Sequence, residues 1–211
     1  MFIDSHCHLD FPDLYTRLDA IMAAMRTQNV IAALCPSVQL ENVEPLMTLI
    51  HRYPMLYGAV AVHPGTTPVA EPTIEQLVQL AQSPKIRAIG ETGLDYHYHQ
   101  GDLTWQQTRF KIHIRAARAV KKPLIIHCRD AADDVLRLLR EEQAETVGGV
   151  MHCFSESIAV AEAAMAMGFY ISFSGIITFK NAESLRNVAK RIPLDRLLIE
   201  TDSPYLAPTP Y

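Results

Sequence analysis

The stretch Phe2-Ile3-Asp4-Ser5-His6-Cys7-His8 decides how the rest of the chain is read. A short apolar run opens it, and two histidines two residues apart close it. Side chains alternate along a strand, so His6 and His8 project from one face. The pattern then recurs. Ala88-Ile89 leads to Glu91, Leu124-Ile125-Ile126 to His127, Gly149-Val150-Met151 to His152, and Leu197-Leu198-Ile199 to Asp202. Each run reads as a strand, and each is followed by a side chain of metal-ligand type. The mouth at the C-terminal ends of parallel strands is where such folds place their chemistry.

Strands are predicted over 2–4, 30–35, 56–62, 86–90, 123–127, 149–152, 170–173 and 197–200. Helices are predicted between them, over 13–28, 40–52, 73–82, 103–120, 131–142, 156–167 and 182–190. Leu103, Phe110, Ile114 and Ala117 share a stripe at helical spacing. Thr73-Ile74-Glu75-Gln76 is a capping-box start, and Gly168 stops a helix after Met167. Strand and helix in strict alternation predict an α/β fold, a (β/α)8 TIM barrel forming one domain over 1–211. An open doubly wound sheet would need a glycine-rich phosphate turn after an early strand, and none is present. Its ligands would also gather at one switch point, whereas these come from the first, fourth, fifth, sixth and eighth strands.

After Asp202 the chain reads Ser203-Pro204-Tyr205-Leu206-Ala207-Pro208-Thr209-Pro210-Tyr211. Prolines at this density forbid a helix. The eighth strand is therefore expected without its covering helix, as in a barrel truncated at its C-terminus. The outer faces of the first and last strands should be partly bare, open to a partner or to an oligomer contact.

The 211 residues are 49% hydrophobic, enough for one substantial core. The formal net charge of -4, with pI near 6.1, removes the broad basic footprint of most nucleic-acid binders. A nucleic-acid substrate would need metals and a local groove for its phosphates. No apolar run reaches membrane-spanning length, and a strand entered at Phe2 leaves no room for a signal peptide, so a cytoplasmic protein is expected. Of the cysteines, Cys7, Cys128 and Cys153 each follow a candidate ligand directly, while Cys35 stands alone. Alternation should turn those three thiols outward, as small packing residues beneath the helices.

The ligand types point to a metal-dependent hydrolase. His6 and His8 can give two imidazoles to one metal, and Glu91 can bridge two with its separate oxygens. His127 and His152 suit a second metal, and Asp202 can ligate the first and touch a bound water. Two divalent cations about 3.5–4 Å apart can clamp the attacking and leaving oxygens of a phosphoryl transfer. Imidazole-rich sites suit zinc, manganese or iron better than magnesium, which prefers oxygen and keeps its waters.

At these motifs the chain resembles the TatD-type metal-dependent deoxyribonucleases, within the wider amidohydrolase-like barrels. The matching stretches are Phe2 to Asp10, Gly90-Glu91-Thr92-Gly93-Leu94-Asp95-Tyr96, Pro123 to His127, His152-Cys153-Phe154, Gly168 to Gly175, and Glu200-Thr201-Asp202-Ser203-Pro204-Tyr205-Leu206. The resemblance implies two divalent cations (magnesium, manganese or zinc) with Glu91 bridging. It implies His6, His8 and Asp202 on one and His127 and His152 on the other. It further implies hydrolysis of DNA phosphodiesters, often stepwise from the 3′ end of single strands; some members act on RNA or aminoacyl-tRNA esters. Nucleases of this kind are usually run with magnesium, against the preference of the imidazoles. Small esters or amides are an alternative substrate class, and a metal-bound scaffold with no activity a further one.

Other residues are weaker signals. His63, in Val62-His63-Pro64-Gly65, ends the third strand and is expected to hold the scissile phosphate or the leaving oxygen; a hydrogen bond to a ligand carboxylate is the structural alternative. Arg129 could meet a phosphate, or pair with Asp130 or Asp133. Asp4 could orient an imidazole of the first strand, and Asp95 one of the fifth or sixth. Tyr96, His97, Tyr98 and His99 form an aromatic loop that could stack a base or only cover the site. His51 and His113 lie on helices and read as surface or packing residues. Lys121-Lys122 and Lys190-Arg191 read as solvated helix ends at the far side of the barrel.

Overall fold

The computed structural model describes residues 1–211. Eight parallel strands follow one another around a nearly closed barrel: β1 (Phe2–Asp4), β2 (Val30–Pro36), β3 (Leu56–Val60), β4 (Ile86–Asp95), β5 (Leu124–Arg129), β6 (Gly149–Met151), β7 (Phe169–Phe173) and β8 (Leu197–Ile199). The helices are α1 (Pro12–Tyr15), α2 (Leu18–Thr27), α3 (Val43–Arg52), α4 (Ile74–Leu80), α5 (Thr104–Val120), α6 (Ala132–Glu141), α7 (Ile158–Ala166) and α8 (Glu183–Ala189). No helix is long and apolar enough to cross a membrane.

Two apolar layers result. Between sheet and helices lies the large core, which buries Leu46, Ile50, Phe110, Ile114, Leu138 and Phe169. Inside the barrel Ala59, Ala88, Ile125 and Val150 pack together, with Leu34 and Leu198 against them. These six come from β2, β3, β4, β5, β6 and β8, so the barrel is plugged below its mouth.

Some boundaries differ from the sequence expectation. The helix expected over 13–28 is two, because Arg17 leaves helical geometry (φ −114°, ψ 13°). The second axis buries Leu18 and Met22, while Phe11 remains at the mouth. Thr73 caps α4 in a full capping box with Gln76. Phe110, Ile114 and Ala117 of α5 are buried as the stripe requires. Lys122 is not a solvated end: its ammonium donates to the carbonyls of Ala81, Ser83 and Ile86, pinning α5 to the entry of β4.

β4 is longer than expected, running on to Asp95. Its register against β5 shifts between Ile89 and Thr92, then resumes with Gly93 opposite His127 and Asp95 opposite Arg129. Gly93 makes this possible: at φ +138° a Cβ there would lie 2.0 Å from the His127 carbonyl oxygen. Glu91 sits in the irregularity, which re-aims its side chain.

β8 and β1 meet through separate hydrogen bonds rather than a ladder. Ser5 N–H donates to Ile199 O at 3.2 Å, Asp202 N–H to His6 O at 2.9 Å, and His8 N–H to Ser203 O at 2.8 Å. On the outside of this seam Phe2 and Ile3 are each 55% exposed and Ile199 is 48% exposed, the bare face expected where no helix covers it.

Candidate metal centre

Glu91 stands at the centre of the mouth. Its Oε2 lies 3.3 Å from His6 Nε2 and 3.9 Å from His8 Nε2. Its Oε1 lies 2.7 Å from His152 Nε2, 2.9 Å from His127 Nδ1 and 3.4 Å from His63 Nε2. One carboxylate thus divides five imidazoles into two sets, one for each oxygen. Asp202 joins the first set, with Oδ1 3.6 Å from both His6 Nε2 and His8 Nε2. It does so from a left-handed backbone (φ +56°) anchored by its N–H to His6 O. Strain of this kind persists where surrounding structure enforces it.

The second imidazoles are each held from behind. His152 reaches Glu200 Oε1 through Nδ1 at 3.3 Å, and the Cys153 N–H donates to the same oxygen. His127 reaches Asp95 Oδ2 through Nε2 at 3.0 Å. A ring nitrogen that donates to a carboxylate leaves its partner nitrogen with a lone pair; with His152 Nδ1 on Glu200 and His127 Nε2 on Asp95, the nitrogens that face Glu91 would be the ones open to a cation. His63 is arranged in the opposite sense. Its Nδ1 accepts the Gly65 N–H at 3.0 Å, which places the proton on Nε2, the atom that faces Glu91.

Burial pushes the Glu91 carboxyl up, but His152, His63 and His6 outweigh it and hold the group well below the usual carboxylate range. Asp95 is also raised by burial, yet the His127 contact and the Tyr98 and His97 N–H groups bring it down to about 2. Burial disfavours charge on His152, but Glu91 and Glu200 prevail and hold it well above the ordinary imidazole value. For His6, burial and the neighbouring His152 win, and its value is lowered.

The residues fit a divalent cation. His6 Nε2 and His8 Nε2 face each other at 3.2 Å, while Nδ1 of each is buried without a partner. Two nitrogens bound to one tetrahedral ion at about 2.0–2.1 Å lie about 3.3–3.4 Å apart. Ligand atoms of His6, His152 and Asp202, of His6, His8 and Glu91, and of His63, Glu91 and His127 each fall within 4.8 Å of one another. Above the cluster opens a cavity of about 910 Å³.

The structure therefore brings together His6, His8, Glu91, His127, His152, Asp202 and His63. Asp4 does not orient an imidazole. It accepts from the N–H groups of His6 and Thr201 and from the Thr201 hydroxyl, tying β1 to the segment after β8. Tyr96 turns away to donate to Asp134, and His97 pairs with Asp130, so only Tyr98 and His99 of the aromatic loop reach the cavity. Of the thiols, Cys7 is buried against Cys35 at 3.8 Å. Cys128 and Cys153 instead contribute to the cavity wall, contrary to expectation. Cys153 lies beyond the end of β6 at φ +43°, where strand alternation no longer applies.

Three supporting residues carried no signal as site residues. Glu200 is a carboxylate two residues before Asp202, but only the fold shows it behind His152. His113 is buried rather than on the surface; it accepts the Val62 N–H at Nε2 and donates from Nδ1 to Arg109 O. Arg109 is 2% exposed, pairs with Glu71, and donates to the carbonyls of His63 and Thr66. Together His113 and Arg109 fix the backbone on either side of His63.

A family model described as TatD related DNase matches residues 3–211. The chain is 43% identical over 213 residues to the uncharacterized metal-dependent hydrolase YcfH of Escherichia coli, covering 99% of this chain and 80% of that one. It is 40% identical to the uncharacterized metal-dependent hydrolase YabD of Bacillus subtilis, covering 100% of this chain and 83% of that one. Among solved structures, the TatD homolog YjjV of Escherichia coli superposes with a TM-score of 0.91 at 31% identity, over 100% of this chain and 82% of that one.

Proposed function

The chain belongs to the TatD-related DNase family and is a metal-dependent hydrolase, and from that premise we propose that it removes nucleotides from the 3′ end of single-stranded DNA, using two divalent cations held about Glu91. The observation that carries this reading is the division of the imidazoles between the two Glu91 oxygens. His6, His8 and Asp202 would hold one cation, His127 and His152 the other, with Glu91 shared. Bound divalent cations supply acidity to a water and neutralise charge on a phosphate.

The chain's own groups do the rest. Asp202, whose carboxyl is raised by burial but drawn below its ordinary value by His8 and the other imidazoles, accepts a proton from the attacking water. One phosphorus–oxygen bond forms to that water and one breaks to the leaving sugar oxygen. His63, with its Nε2 proton set by the Gly65 N–H, donates a hydrogen bond from Nε2 to the leaving oxygen, which takes its proton from solvent. Arg109 and His113 hold His63 against thermal drift, which proximity catalysis requires. The reading places the enzyme in the cytoplasm with DNA ends as its partner.

The test is degradation of end-labelled single-stranded DNA with magnesium, manganese or zinc added in turn. RNA of the same sequence and a small ester are run alongside. A ladder shortening from the 3′ end supports the reading. Turnover of the ester alone, with both nucleic acids intact, overturns it.

A further inference from the structure

Resting on the nuclease reading, we infer that the mouth grips a single strand at two opposite points: Tyr205 stacks a base on the β8–β1 side, and Arg129 holds a phosphate on the β4–β5 side. The strand order runs from β1 to β8 around the barrel, so these two sides face each other across the Glu91 cluster.

Arg129 is the sole arginine or lysine among the residues lining the cavity. Its guanidinium lies 4.8 Å over the Tyr98 ring and donates to the Tyr98 hydroxyl at 3.2 Å. No carboxylate pairs with it. Asp130 is taken by His97 at 2.8 Å, and Asp134 by Arg137 at 2.7 Å. The two contacts with Tyr98 hold the guanidinium at the mouth and leave N–H donors free to meet phosphate oxygens. Within a chain of net charge -4, a cation left unpaired at the mouth of the site is set against the overall trend.

Across the mouth, Tyr205 is 56% exposed. Its N–H donates to Asp202 O at 3.0 Å, so the ring is carried close to the ligand turn. Phe11 braces it edge-on, with centroids 6.3 Å apart, and Phe11 itself stacks on His8 at 4.6 Å. A braced ring with an open face is a platform for a base of any identity. Arg129 covers one face of Tyr98 and His97 meets that ring edge-on at 4.8 Å, so Tyr98 serves as the support of the guanidinium. A nucleotide strand offers both a flat ring and a phosphate, the two groups that Tyr205 and Arg129 would receive.

The metal-loaded enzyme is tested on oligonucleotides whose 3′-terminal nucleotide is intact or abasic. Wild type is expected to favour the intact end by about tenfold in kcat/KM, the effect of one stacked base. Tyr205→Ala should bring that ratio close to one by slowing the intact end, and Tyr205→Phe should keep it. Arg129→Gln should raise KM for both ends alike and flatten the salt dependence of KM by about 0.7 in log–log slope, the share of one phosphate contact on a single strand. Equal treatment of the two ends by wild type, or a preference that survives Tyr205→Ala, overturns the base platform. An unaltered salt slope in Arg129→Gln overturns the phosphate clamp. Failure of wild type to cut any oligonucleotide is a different outcome: it overturns the nuclease reading, and this inference with it.

Discussion

Glu91 carries more of the site than any other residue, because both its oxygens are in use. Glu91→Gln keeps the volume but loses the charge that five imidazoles surround. The expected result is loss of tight metal binding and a fall in kcat of at least about a thousandfold, in keeping with groups that act as a unit; wild-type turnover in this variant would remove Glu91 from the chemistry. Glu200 acts at one remove, through His152. Glu200→Gln should weaken metal affinity about 10–100-fold, as loss of a carboxylate behind a ligating histidine does. Activity should return at saturating metal, and failure of excess metal to restore it would mean that Glu200 does more than hold the ring. The ligand types themselves were legible because each ends a short apolar run. Glu200 was not, since its partner follows β6, two strands away around the barrel. Arg109 and Lys122 were illegible for a related reason: their partners are backbone carbonyls, which have no signature in sequence.

The elements that matter most are β4 and α5, which packs against β4 and reaches the segment after β3 through His113. Gly93 lets β4 lie against the His127 backbone, where a Cβ would come within 2.0 Å of the carbonyl oxygen. Gly93→Ala is expected to shift His127 and Asp95 apart and to cut activity more than it cuts stability; a variant with unimpaired turnover would contradict the packing argument. The sequence showed β4 stopping at its apolar end, because Glu91-Thr92-Gly93 has no strand-like pattern. Pairing with β5 overrides that local preference.

His113 gives α5 a pH dependence. Burial brings its folded value from the ordinary 6.5 down to about 4. The unfolded chain therefore binds a proton in this window that the native chain refuses. Its contribution to stability is complete above pH 6.5 and is lost as pH falls toward about 4. Between pH 7 and pH 5 this group alone accounts for about 2 kcal/mol. Urea unfolding of wild type and His113→Gln at both pH values measures it: the difference between the pH values should shrink in the variant, and an equal difference in both would rule this group out.

At the scale of the whole molecule, alternation of strand and helix made the barrel readable, and the proline-rich stretch after Asp202 made the uncovered seam readable. The seam leaves Phe2, Ile3 and Ile199 about half exposed. Closure of the mouth matters more for function. Ligands arrive from β1, β4, β5 and β6 and from the turn after β8, so a cation bound at the centre ties distant parts of the chain together. We propose that this mouth holds two divalent cations with Glu91 between them. Divalent metal per chain is counted in wild type and Glu91→Gln after equilibration with excess manganese and gel filtration. Two equivalents are expected in wild type, with a clear loss in the variant. A single equivalent in wild type, or the same content in both proteins, would contradict it.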